Sequence, residues 1–498
     1  MFNKSIFLTL LLICSSTLLF SQRQKYNDEV ENKIKQVETN LSSAIVVEGD
    51  ANWSLVERMK FYHVKGVSIA VIKDYKIEWA RGYGWADSSE HRPVATSTLF
   101  QAGSISKSLN SLGVLKLVQS GKLNLYSDIN DFLKSWKFPY DSLSHGKKIT
   151  IANLLSHSAG LTQHGFPGYE KGDSIPTLVQ ILDGKHPSNT FAVRSAFEPS
   201  LKFQYSGGGT IISQLIVQDN SNLPYDKFMW ENVLKQIGMY SSSYTQPPVK
   251  ENQNKLATAY YTNGQEVKGK YHIYPEQAAA GLWTTPTDLA KFIIESQLSI
   301  QGKSNKVLSQ EMTKRWLTPY VDSTLALGVF IETRGGQKYF GHSGQDEGFV
   351  GRYWGSFDGG NGVVVMSNTD DISIVNEIIN SVASVYSWKD FYTPMVIKNL
   401  KVDNAILNSY VGQYQINSQS EGQYNLTPSS IFTISKEGHQ LKAQAAGQEM
   451  IKIYPVSDVR FFPKTSDTDI KFVKNEKGIV EKLIIHQNGQ YFDCKKLK

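Results

Sequence analysis

Cysteine is almost absent: Cys14 and Cys494 are the only two in 498 residues. That count excludes a disulfide-stapled scaffold and a cysteine-based metal cage. A dense basic run is missing as well. The chain carries 52 Lys and Arg against 46 Asp and Glu, a net charge of +6. The excess is spread thinly apart from Cys494-Lys495-Lys496-Leu497-Lys498 at the end, which reads as a solvated terminus. A phosphate backbone needs clustered cations, so nucleic acid is excluded as a partner. No apolar stretch reaches the roughly 20 continuous residues of a spanning helix. With 40% hydrophobic and 20% charged residues, the chain is neither disordered nor a multi-span membrane protein. What is left is a globular protein of two or three domains whose cores hold by packing alone.

Lys4, an apolar stretch over 6–13 that resumes at 18–20, and then Ser21-Gln22 have the layout of a secretory signal peptide. The expectation is that residues 1–21 are removed and the product is exported, to the periplasm or the medium, with no integral span after cleavage. Cys14 offers a second reading, lipid attachment, but bulky Ile13 stands before it where that processing wants a small residue.

Two β-rich runs within 66–80, separated by Lys73-Asp74, predict a strand pair. Over 105–120, Leu109, Leu112, Leu115 and Val118 recur every third position and Gly121 follows, which predicts an amphipathic helix with Ser104 to Lys107 at its head. Further helices are expected over 151–155, 209–217, 225–236, 285–298 and 372–386, and strands over 327–331, 351–356 and 362–367. Strands at both ends of a helical middle predict an α+β domain, an antiparallel sheet flanked by helices. From about residue 400 the texture changes to short alternating runs punctuated by Glu437-Gly438, Ala446-Gly447, Asn475-Glu476-Lys477-Gly478 and Asn488-Gly489. That spacing predicts a meander of about eight strands closing as a small all-β barrel. The expected division is therefore 1–21, 22–398 and 399–498.

Ser104-Ile105-Ser106-Lys107 puts a hydroxyl and an amine one turn apart on one helix face. There the serine oxygen attacks a carbonyl, a neutral lysine takes its proton, and the helix amides favour the developing negative charge. The pattern alone is weak, and Ser144-His145-Gly146-Lys147 repeats it in a polar loop. Tyr205 beside Gly207-Gly208-Gly209, a backbone suited to close approach, and Phe340-Gly341-His342-Ser343-Gly344 add a phenol and an imidazole. The Gly-x-Ser-x-Gly elbow of α/β-hydrolases is absent here, because Gly341-His342-Ser343-Gly344 runs on to Gln345.

The order Ser-x-x-Lys, Tyr-Ser-x, His-x-Gly, joined by Leu154-Leu155-Ser156-His157-Ser158-Ala159-Gly160-Leu161 and by Gly281-Leu282-Trp283-Thr284-Thr285-Pro286-Thr287-Asp288-Leu289, resembles the serine β-lactamase-related family. That family includes class C β-lactamases, D-alanyl-D-alanine carboxypeptidases, D-aminopeptidases and esterases. The resemblance covers roughly residues 60 to 385 and implies the β-lactamase/transpeptidase fold. The stretch from Tyr410-Val411-Gly412-Gln413-Tyr414 onward resembles the small barrel appended to many of these proteins.

Carried over by position, the resemblance makes Ser104 the acylated nucleophile, Lys107 its base and charge partner, and Tyr205 a second acid/base. His342 stands where β-lactamases carry the lysine of Lys-Thr-Gly. The backbone amides of Ser104 and Gln345 form the oxyanion hole, Gly207, Gly344 and loop residue His164 border the substrate, and His157 is structural. No metal or organic cofactor is required. Gly207 replaces the usual asparagine and His342 the lysine, which argues against a dedicated β-lactamase. The expected reaction is acyl transfer to water from a small peptide, amide or ester. Penicillin binding or β-lactamase activity, and a silent peptide- or peptidoglycan-binding module, are the alternatives. Oligomeric state is not readable from the chain.

Overall fold

The computed structural model describes residues 25–43, 45–49, 51–398, 400–416, 431–445, 450–463, 468–487 and 490–497. Residues 1–21, assigned above to a signal peptide, and Cys14 with them, lie outside the described residues. Among the described residues no helix is long and apolar enough to cross a membrane.

A seven-stranded antiparallel sheet runs in the order Arg92–Pro93, Lys76–Asp87, Gly66–Lys73, Gly362–Ser367, Phe349–Ser356, Gln337–Asp346, Phe330–Arg334. The early and late strands of the domain meet at its centre, where Val67 pairs with Ser367 and Ile72 with Gly362. These central strands are apolar at nearly every position because both faces of the sheet are covered. Successive side chains point to opposite faces and so feed two separate cores. Val67, Ile69, Val71, Val363 and Val365 pack with the helices Asp28–Thr39 and Ser373–Val385. Ala70, Ile72, Val364 and Met366 pack on the other side with Pro286–Ile300 and the helical middle of the chain. The fold is the predicted β-lactamase/transpeptidase-like α+β sandwich.

The helix expected over 105–120 forms as Ser106–Gln119, but it is not amphipathic. Every residue from Ser106 to Leu115 is buried. Its polar back was readable as solvent-facing, yet each polar group finds a partner inside. Asn110 donates to Ser213 Oγ at 2.9 Å and accepts from the Tyr225 hydroxyl at 2.9 Å. Ser108 donates to the Gly328 carbonyl, and Ser111 accepts from the Trp316 indole. Buried polar groups are tolerated when paired in this way, and the result is a rigid central rod carrying the Ser104 turn.

Eight antiparallel strands close the C-terminal barrel, with Gly412–Ile416 returning to Gln490–Lys496. Alternate residues such as Tyr414, Ile434, Leu441, Phe472 and Leu483 fill its interior. Residues 494–496 of the basic end are not a loose tail: they belong to the strand that closes the barrel, where alternation carries Phe492 and Cys494 inward and Lys495 outward, while Lys496 donates to the Ser409 carbonyl at 2.6 Å. Burial pushes the Cys494 thiol up to about 12, which leaves it protonated and unreactive.

Candidate active site

A tight turn, Gly103–Ile105, delivers Ser104 to the head of the buried helix. Lys107 is 4% exposed and its Nζ donates to Ser104 Oγ at 2.9 Å and to the Ala279 carbonyl at 2.8 Å. Ala279 belongs to the short helix Gln277–Ala280, so the amine is held from two sides. Tyr205 stands across from it, with Lys107 Nζ 5.1 Å from the centre of its ring. Ser206 caps the following helix Gly207–Ser221 by accepting from the Gly209 N–H, and this fixes Tyr205 just outside the helix.

His157 packs against Tyr205 with ring centroids 4.2 Å apart and the planes tilted by 36°. Its Nδ1 accepts from the Ser206 N–H at 3.2 Å, so the neutral ring carries its proton on Nε2. His342 is also buried. Its Nδ1 donates to the Ser343 carbonyl at 2.5 Å, while its Nε2 has no protein partner. Burial, then the Lys107 charge, hold His157 well below the usual histidine range, and the same two causes bring His342 down to about 3. Both imidazoles are neutral near pH 7.

Strand Gln337–Asp346 pairs with Phe330–Arg334 only as far as Gly341, which leaves one edge from His342 to Asp346 open. That edge lies against the Ser104 turn. A Cβ on Gly344 would sit 1.9 Å from the Ala102 carbonyl oxygen, and one on Gly103, whose φ is +50°, would sit 2.5 Å from the Gln345 nitrogen. The Gly103 N–H donates to buried Asp346 at 3.1 Å, tying strand and turn together. Gly344→Ala is expected to cost about 1–3 kcal/mol in stability through this clash and to displace the Gln345 amide, so a melt and an activity assay should fall together. An unshifted melting temperature contradicts the packing.

A cavity of about 350 Å³ is lined by Ser104, Tyr205, Phe330, His342, Gln345 and Arg352 among others. On its far side Gln345 borders a second hollow walled by Phe166, Tyr274 and the acids Asp346, Glu347 and Asp370. Ser104, Lys107, Tyr205, His342, Gly344 and Gln345 are thus brought together. His164 and Gly207 are not among the residues lining the cavity. His164 is exposed and donates to the Tyr205 carbonyl at 2.5 Å. Gly207 is buried, its N–H donates to the His164 carbonyl at 3.0 Å, and a Cβ there would lie 2.8 Å from the Phe166 ring. In the repeated motif, Ser144 donates to the Asp141 carbonyl and Lys147 reaches Glu198, so that pair forms no site.

The neutral His342 has a consequence for stability. An unfolded histidine binds a proton below about 6.5, whereas the folded one stays neutral down to about 3. The unfolded state therefore holds more protons in that window, and stability rises with pH through it, by up to about 1.4 kcal/mol per unit from this group. His342→Gln should flatten the rise of melting temperature between pH 4 and 6.5. Parallel curves for the two proteins contradict the assignment.

Sheet, buried helix and the Ser104–Lys107 pair together are those of the β-lactamase-fold class of serine hydrolases. The chain belongs to the β-lactamase family, whose profile matches residues 54–377. Penicillin-binding protein 4* of Bacillus subtilis (strain 168) is 22% identical over 455 residues, 88% of this chain and 96% of the relative. Among solved structures, the octameric penicillin-binding protein homologue from Pyrococcus abyssi superposes with a TM-score of 0.60 at 21% identity, covering 89% of this chain and 98% of that one. The D-amino acid amidase from Ochrobactrum anthropi SV3, in complex with L-phenylalanine amide, gives 0.54 at 20% identity, covering 72% and 99%. These likenesses are in fold.

Proposed function

We propose that the protein is an exported hydrolase that cleaves a peptide, amide or ester bond through an acyl-enzyme on Ser104. The observation that carries this reading is the 2.9 Å bond between Lys107 Nζ and Ser104 Oγ at the head of a buried helix. Ser104 Oγ attacks the substrate carbonyl and loses its proton to Lys107 or Tyr205. The amides of Ser104 and Gln345 hold the oxyanion, and donors of that kind are typically worth about 100-fold or more in rate. Tyr205 protonates the leaving group and then takes a proton from the water that releases the acyl group. His342 offers a lone pair at Nε2 rather than a cation, in keeping with an esterase or peptidase more than a dedicated β-lactamase. Residues 22–398 form the hydrolase domain in this reading and 399–498 an accessory barrel, and the signal-like segment 1–21 directs export.

Mass spectrometry after incubation with a short acyl ester and, separately, with a penicillin tests it. An adduct on Ser104 or ester turnover is the expected result. A stable penicillin adduct would point to D-alanyl peptides as the substrate. A folded protein that neither reagent marks, and that turns over neither, would move the reading to a silent binding module.

A further inference from the structure

His157 reaches Tyr205 from three directions. Its carbonyl oxygen accepts from the Gln204 N–H at 2.8 Å, and its Nδ1 accepts from the Ser206 N–H at 3.2 Å. One residue thus holds the backbone on both sides of Tyr205. Between these two bonds the imidazole packs against the phenol ring at 4.2 Å between centroids. With its backbone pinned fore and aft and one ring face covered, Tyr205 has little rotamer freedom left. Its ring centre is held 5.1 Å from Lys107 Nζ.

Two features of His157 fit a clamp better than a space-filler. Its φ is +52°, in the left-handed region that few residues with a side chain enter. The turn is kept there by the Ser158 N–H on the Asn153 carbonyl at 2.9 Å and by the Asn153 amide on Ser158 Oγ at 3.0 Å. Conformations of this kind persist where the surroundings over-determine them, and they gather at functional sites. The second feature is the buried Nε2, which has no partner among the described residues. An orphaned donor is a cost, and an apolar ring would fill the same space without it. Only an imidazole brings both the ring face and the Nδ1 acceptor.

We propose that His157 is the positioning residue for Tyr205, fixing the phenol hydroxyl at the point from which it exchanges protons while acting on no reacting atom itself. This rests on the hydrolase reading above.

His157→Phe keeps a ring and removes the acceptor, whereas His157→Asn keeps an acceptor near the place of Nδ1 and suits the left-handed backbone. With ethyl butanoate, or with phenyl butanoate where only that is turned over, His157→Phe should lower kcat about 10- to 100-fold, the effect of displacing a catalytic group by roughly 1 Å. KM should stay within a few-fold, and His157→Asn should keep part of the rate. The deciding readout is the double variant. Once Tyr205→Phe has removed the hydroxyl there is nothing left to misplace, so adding His157→Phe should cost about tenfold less than it does in wild type. Loss of fold quality would lower both backgrounds alike, and two losses within about threefold of each other overturn the proposal. So does a folded His157→Phe with wild-type kcat. Should His157→Phe fail to fold, His157→Ala replaces it in the same cycle. If neither ester is turned over, the hydrolase reading fails, and crystal structures of wild type and the folded variant still decide this one. The Tyr205 hydroxyl should move by about 1 Å or more or occupy two positions, and a smaller shift overturns the proposal.

Discussion

Ser104→Ala removes the covalent adduct and lowers turnover of any working substrate on the order of 10⁴-fold or more, the usual size for loss of a nucleophile whose partners act as a unit. The loss should fall on kcat, since the cavity wall and the Gln345 amide stay in place. The protein should still fold. Ser104 Oγ only accepts one bond, from Lys107, whose amine keeps the Ala279 carbonyl, so the stability cost is about 1 kcal/mol. No neighbouring hydroxyl takes over: Ser106 is fully buried and its Oγ accepts from the Leu282 N–H at 3.1 Å. Intact mass after ester treatment and steady-state rates measure the effect. Turnover within tenfold of wild type would place the nucleophile elsewhere.

The local geometry of the candidate site was readable because it is local. Ser104 and Lys107 lie within one helical turn, so their spacing alone sets the 2.9 Å contact. The context around Ser144-His145-Gly146-Lys147, a polar loop, likewise separated a chance match from a helix head. The barrel was readable from turn signals such as Glu437-Gly438 and Asn475–Gly478, which announce a hairpin over a few residues; the signals at 446–447 and 488–489 lie outside the described residues. Arg352 was not. Its place beside Ser104 depends on the register between two strands and on how far Phe330–Arg334 runs before leaving an edge open, and no short window of sequence holds that information. The grip of Ala279 on Lys107 spans 172 positions and was invisible for the same reason. The polar back of helix Ser106–Gln119 misled in the opposite direction. A pattern of Ser and Asn at helical spacing reads as a wet face, and only the neighbouring helices show that those groups are paired and dry.

Tyr205→Phe should lower kcat by roughly 100-fold or more, with KM within a few-fold for a substrate whose leaving group needs the proton, because it deletes a transferable proton and nothing else. The ring is held by contacts that do not involve its hydroxyl. His157 packs against it with centroids 4.2 Å apart, and His164 holds its backbone carbonyl. Phenylalanine keeps both, so a melting temperature close to wild type is expected alongside the loss. The same hydroxyl serves both halves of the reaction as proposed, donating to the leaving group and then receiving a proton from water. An ester with a good leaving group needs little help in the first half. With such a substrate the variant should form its acyl-enzyme at a near-normal rate and release it slowly, so the Ser104 adduct accumulates well above the wild-type level. Rapid-quench mass spectrometry distinguishes this from a general loss of activity. A fall in kcat below threefold would remove Tyr205 from proton transfer and leave Lys107 to perform both steps. A uniform fall with no accumulated adduct would confine Tyr205 to the first half.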